Sequence, residues 1–262
     1  MNKKTALFLG SSNTFGVGLH TFRDYYMSEK TAKTLQWPYN QSADDWEYIK
    51  SNRWTKLISN YLNCDEINVS EAGGSPAESL YKLENMNLSN IDYIFFEFSG
   101  IYNYFDRYFH NEDYPKTPHE IESFLTNGKN DRPELKQRIL NWLIEYNPNE
   151  FIDEVLNLLK EKISNLSDKK IIILFWHDDN HINFAHPKYN WMTKYMIKFP
   201  TNENKFNFIV HKWVEESKLT VSDEHPFSEY FKNDIHMGMK GQKLIAHKII
   251  SYINEKEDTN SW

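Results

Sequence analysis

Two short segments near opposite ends of the chain hold the residue types that acyl transfer requires. The first closes an apolar run and reads Gly10-Ser11-Ser12-Asn13-Thr14-Phe15-Gly16-Val17-Gly18. A glycine there lets the backbone turn sharply, so Ser12 would sit on the turn with its hydroxyl facing solvent and its amide, near a helix N-terminus, available to an oxyanion. The second is Asn233-Asp234-Ile235-His236-Met237-Gly238, directly before the last amphipathic stretch. Histidine is the usual base for a serine, and a carboxylate two residues away, Asp234, can bond the other ring nitrogen and fix the tautomer. Each segment alone also reads as an ordinary loop, cap or solvated histidine. Taken together they point to a nucleophile, Ser12, and its base, His236.

Two other chemistries compete with this one. His177, Asp178, Asp179, His181 and His186 follow one apolar run, and histidine with carboxylate at such spacing can ligate zinc or manganese. His177 and His181 stand four apart, but the residues between them are all polar and show no helical pattern, so a polar loop is the simpler account and no metal is expected. The chain has no G-x-x-x-x-G-K-[ST] loop, and Gly10 to Gly18 lacks the lysine and the downstream acidic partner of a nucleotide site. No cofactor is expected.

The elements that would carry these residues form an alternating series. Thr5 to Leu9, Asp92 to Phe98 and Lys170 to Trp176 read as buried parallel strands, with Glu66 to Ser70 a weaker fourth. Helical spacing of apolar residues appears over 52–62, 75–86 and 150–165, and again over about 240–254 through Ala246, Ile249, Ile250 and Ile253. Alternation of this kind predicts an α/β domain with a central parallel sheet and helices on both faces, and such folds bind ligands beyond the carboxyl ends of their strands. Residues 100–148 and 177–206, rich in aromatic and polar side chains, read as insertions over those ends. Rings stack on pyranose faces while amides and carboxylates bind hydroxyls, which suits a sugar-like ligand; packing of the insertions onto the sheet is the plainer use of the same rings.

The 262 residues carry a formal net charge of −7, with 26% charged, 40% hydrophobic and 16% aromatic side chains and 9 Gly and 9 Pro. That composition excludes collagen-like and disordered classes, and the scattered lysines and arginines give no footprint for nucleic acid. Cys64 has no second cysteine to pair with, the N-terminal apolar run is too short for a signal segment, and no run approaches the ~20 residues of a membrane span. The expectation is one domain over 1–262, cytoplasmic, acting on a small molecule or glycan rather than on nucleic acid or a membrane.

With these segments in view, the chain resembles the SGNH (GDSL-like) hydrolase superfamily from residue 5 to about 254. Gly10-Ser11-Ser12 matches the Gly-Asp-Ser block, with Ser11 in place of the Asp. Asn68-Val69-Ser70-Glu71-Ala72-Gly73 matches the block whose glycine amide supplies the oxyanion hole, and Asp234 with His236 matches the terminal pair. In the third block Ile101 stands where the family has its oxyanion-binding Asn, and Asn103 follows two residues on. The family spaces its last block Asp-x-x-His, so Asn233 occupies the customary Asp position and either Asp234 or Asn233 orients the ring. The resemblance implies a flavodoxin-like α/β/α fold. It implies a serine esterase with Ser12, Asp234 and His236 as catalytic residues and Ser12, Gly73 and Asn103 at the oxyanion hole. The expected substrate is a small acyl ester such as an O-acetyl group on a glycan, and the alternative is a carbohydrate-binding or structural protein that keeps the fold without turnover.

Overall fold

A computed structural model of the chain describes residues 3–19, 43–71, 74–99, 137, 148–176, 184–200, 202, 206–224 and 235–262, without the side chains of 43–45 and 148–151. In chain order the elements are β1 (Lys4–Leu9), α1 (Ser12–Phe15), α2 (Ala43–Asn52), α3 (Trp54–Tyr61), β2 (Cys64–Asn68), α4 (Pro76–Asn85), β3 (Tyr93–Phe98), α5 (Pro148–Ser164) and β4 (Lys170–Phe175). A 3-10 helix (Pro187–Lys194), β5 (Phe199–Pro200), β6 (Phe206–Asn207), α6 (Val210–Glu216), α7 (Val221–Glu224) and α8 (Met239–Thr259) follow.

Strands as apolar as YIFFEF and KIIILF can be stable only when covered on both faces, which is the environment of a parallel sheet. The four main strands pair in the order β2-β1-β3-β4, all parallel. Side chains alternate between the faces. Leu7, Leu9, Ile94, Phe96, Ile171 and Ile173 pack with α4 and α5. Ala6, Phe8, Tyr93, Phe95, Ile172 and Leu174 pack with α3 and α8. The result is a three-layer α/β/α arrangement with the flavodoxin-like strand order. The chain leaves β1 toward β2 and returns across it to β3, so β1 and β3 flank the topological switch point where such folds bind ligands.

All four anticipated strands form, with β2 starting at Cys64 and ending at Asn68. The four anticipated helices appear as α3, α4, α5 and α8, whereas α2 and α6 were not anticipated. The described part of the 177–206 segment corrects an expectation. It lies along the free side of β4 rather than over the strand ends: Met196 pairs with Ile173 in parallel fashion, and Ile209 then pairs with Phe175. The reason is its own apolar content, since Tyr189, Met192 and Met196 bury on one face and Ile197 and Phe199 on the other. The 100–148 segment falls outside the described residues apart from Gln137 and the start of α5. Among the described residues no helix is long and apolar enough to cross a membrane.

Phe8 is the centre of the α3/α8 face, stacked on Phe95 with centroids 4.6 Å apart and met edge-on by Trp54 at 5.5 Å. Phe8→Ala is expected to cost about 3–5 kcal/mol, because the cavity it leaves is walled by a rigid sheet. Urea unfolding checks this, and an unchanged midpoint would contradict the packing described.

Candidate active site

The turn after β1 is organised around a carboxylate. Register places Leu9 beside Phe96, so the next residues, Gly10 and Glu97, are neighbours at the ends of their strands. A Cβ at Gly10 would lie 2.6 Å from Glu97 Cβ and 2.7 Å from Thr14 Oγ1. The glycine is therefore needed for close approach; the sharp-turn role anticipated from sequence belongs among the described residues to Gly16, whose φ is +100°. Ser11 Oγ donates to Glu97 Oε1 at 2.6 Å, and Thr14 donates to Glu97 Oε2 through its amide at 3.1 Å and through its hydroxyl. Burial pushes the Glu97 carboxyl above the usual carboxylate range, opposed by the hydrogen bonds from Ser11 and Thr14.

A second brace comes from β2. Asn68 Nδ2 donates to the Thr14 carbonyl at 3.1 Å and to Thr55 Oγ1 at 3.2 Å, while its Oδ1 accepts from the Ser70 amide and hydroxyl. The loop beyond folds onto β1, with the Glu71 amide donating to the Gly10 carbonyl and the Gly74 amide to the Glu71 carbonyl. Ser99 Oγ, at the end of β3, donates to the Gly74 carbonyl.

His236 is held from both sides. Its carbonyl accepts from the Val221 amide and the Gly238 amide donates to the Leu219 carbonyl, so the loop is stitched to the segment before α7. Glu224 accepts from the Lys240 and Gly241 amides and satisfies the exposed N–H groups of α8, the helix that His236 precedes. Burial raises the Glu224 carboxyl, against the pull of those amides and of Lys240. On the other side Asn13 Oδ1 accepts from the Met237 amide at 3.2 Å, and Gln242 Nε2 donates to the Asn13 carbonyl while its Oε1 accepts from the Trp54 amide. Gly18 lies so close that a Cβ there would overlap the Met237 carbonyl oxygen.

These braces bring His236 Nε2 to 3.0 Å from Ser12 Oγ. Ser12 and His236 are partly exposed, whereas Ser11, Asn13 and Thr14 are buried, so the pair meets solvent and its supports do not. As the first residue of α1, Ser12 has an amide with no partner inside the helix. His211 lies at the adjoining strand end, its amide donating to the Trp176 carbonyl. Burial holds its imidazole below the ordinary histidine range, with Glu215 opposing and the charge of His236 adding to the depression.

Of the residues expected from sequence, Ser12 and His236 come together. Gly73, Ile101, Asn103, Asn233 and Asp234 lie outside the described residues, as do His177, Asp178, Asp179 and His181. His186 is described, and its Nδ1 accepts from the Lys188 amide as the N-cap of the 3-10 helix. Among the described residues no cluster of three or more metal-ligating side chains occurs. Glu97, Asn13, Gly18, Gln242 and Glu224 were missed. Glu97 alone had a visible signal, a charge inside an otherwise apolar strand.

No family model and no curated protein matches the chain. Among solved structures, it is similar to a member of the lipolytic G-D-S-L family from Veillonella parvula, at 13% identity and a TM-score of 0.40 over 95% of this chain and 97% of that one.

Two outcomes follow from the braces. Gly18→Ala is expected to cost about 1–3 kcal/mol of stability and to move the His236 ring resonances, because the added methyl displaces Met237; unchanged unfolding and spectra would refute the contact. Glu224 is raised in the folded state above its ordinary 4.5. A raised acid favours folding most below its unfolded value and loses that contribution as pH rises through the folded one. The stability advantage of wild type over Glu224→Gln should therefore shrink as pH climbs from 4.5, and denaturation series at several pH values would show it.

Proposed function

We propose that the protein is a serine esterase of SGNH type that hydrolyses a small acyl ester through an acyl-serine intermediate. The observation that carries this reading is the 3.0 Å approach of His236 Nε2 to Ser12 Oγ across 224 positions of sequence. It lies within the distance at which an imidazole removes a hydroxyl proton.

In the proposed cycle, His236 takes the Ser12 proton as Oγ bonds to the ester carbonyl carbon. The resulting oxyanion is met by the Ser12 amide at the start of α1 and, by family resemblance, by the Gly73 amide and the Asn103 side chain. Collapse breaks the bond to the alcohol oxygen, which leaves with the proton held on His236. Water then attacks the acyl carbon as His236 takes one of its protons; collapse breaks the bond to Ser12 Oγ, which takes that proton back from His236, and the acid is released. Asp234 is assigned to orient His236, again by resemblance. An O-acetylated glycan is the substrate class supported by the aromatic and polar composition of 100–148.

Hydrolysis of p-nitrophenyl acetate tests the reading. Ser12→Ala and His236→Ala should each lower kcat by about 10³-fold or more with the fold intact. Equal rates for wild type and Ser12→Ala would remove Ser12 as nucleophile and leave a non-catalytic binding protein as the better account.

A further inference from the structure

We propose that Glu97 is the positioning residue of this site, its carboxylate holding Ser11 and Thr14 on either side of Ser12 and so fixing the Ser12 hydroxyl against His236. The inference rests on the reading of Ser12 and His236 as nucleophile and base.

A carboxylate is costly in the middle of a sheet, and Glu97 is only 2% exposed on a strand whose other residues are Tyr, Ile and Phe. Among the described residues no lysine, arginine or histidine forms an ion pair with it. Its compensation comes instead from one short stretch of chain: the Ser11 hydroxyl on Oε1, and the Thr14 amide and hydroxyl on Oε2. The two oxygens thus span the residues between, Ser12 and Asn13. Both of those are tied to the other end of the polypeptide, Ser12 to the His236 ring and Asn13 to the Met237 amide. A carboxylate serving only to fill the core would have no reason to face the one turn that bears the nucleophile.

Gly10 supports the same conclusion. The space that any Cβ would occupy there is taken by Glu97 and Thr14, so the strand end is shaped around the carboxylate. Ser11 caps α1 by position yet makes no side-chain cap, because its hydroxyl is committed to Glu97. Both choices favour a fixed turn over a locally better helix start.

The test compares Glu97→Ala, Glu97→Gln and Ser12→Ala with wild type, reading p-nitrophenyl acetate kinetics and, separately, the His236 ring resonances by NMR. Loss of the carboxylate should displace Ser12 by a fraction of an ångström or more, lowering kcat about 10²-fold with KM within about twofold. Glu97→Gln, which keeps one acceptor and the shape, should recover about tenfold of that loss. In Glu97→Ala the ring resonances of His236 should move toward their Ser12→Ala positions. Unchanged kcat and unchanged resonances in a folded Glu97→Ala would overturn the proposal. If that variant does not fold, Thr14→Val and Ser11→Ala remove the two hydroxyl donors instead and are read in the same way. If wild type and Ser12→Ala hydrolyse the ester equally, the esterase reading has failed, and the resonances alone decide Glu97: a shift sustains its positioning role and no shift ends it.

Discussion

The contact between Asn13 and the Met237 amide is the joint on which the site depends. It ties the residue after Ser12 to the residue after His236, 224 positions apart, so neither side chain can move far without breaking a buried hydrogen bond. An unsatisfied buried amide costs about 1–3 kcal/mol, which is large beside the net stability of a domain. Gln242 reinforces the joint by bonding both Asn13 and Trp54, connecting α8, α1 and α3 through a single buried side chain. Backbone approaches at Gly18 and Gly241 leave no room for adjustment.

Around that joint, buried and half-buried polar groups take the place of apolar packing. Glu97 holds the turn on the sheet side, Asn68 holds it from β2, and Glu224 fixes the start of α8. Buried polar groups of this kind are stable only when each is satisfied, and a satisfied network specifies one geometry more sharply than an apolar core does. The position matters as much as the chemistry. The network lies at the carboxyl ends of β1 and β3, where the strand order reverses.

Much of this fold was legible because its strands are unbroken apolar runs and four of its helices repeat apolar residues every three to four positions. β2 was weaker because only Cys64 of its five side chains is buried. α2 escaped notice since its sequence, ADDWEYIKSN, offers Ile49 as the one fully buried apolar residue among its described side chains. The 184–200 stretch was misplaced because polar and aromatic residues look like a surface excursion when the edge of β4 is unseen. Ser12 and His236 were legible from their types and their places at a strand end and a helix entrance. Asn13, Gly18 and Gln242 were not, since an amide that braces a backbone and a glycine required by a distant carbonyl leave no local pattern. Glu97 stood in plain view inside YIFFEF, and only register shows that its neighbour is Gly10.

The account stands on Ser12 being an activated nucleophile. A fluorophosphonate probe followed by intact mass and peptide mapping measures that directly. The account predicts one adduct per chain, on Ser12, with labelling greatly slowed by His236→Ala. An unlabelled wild-type protein, or an adduct on any other residue that persists in Ser12→Ala, would contradict it.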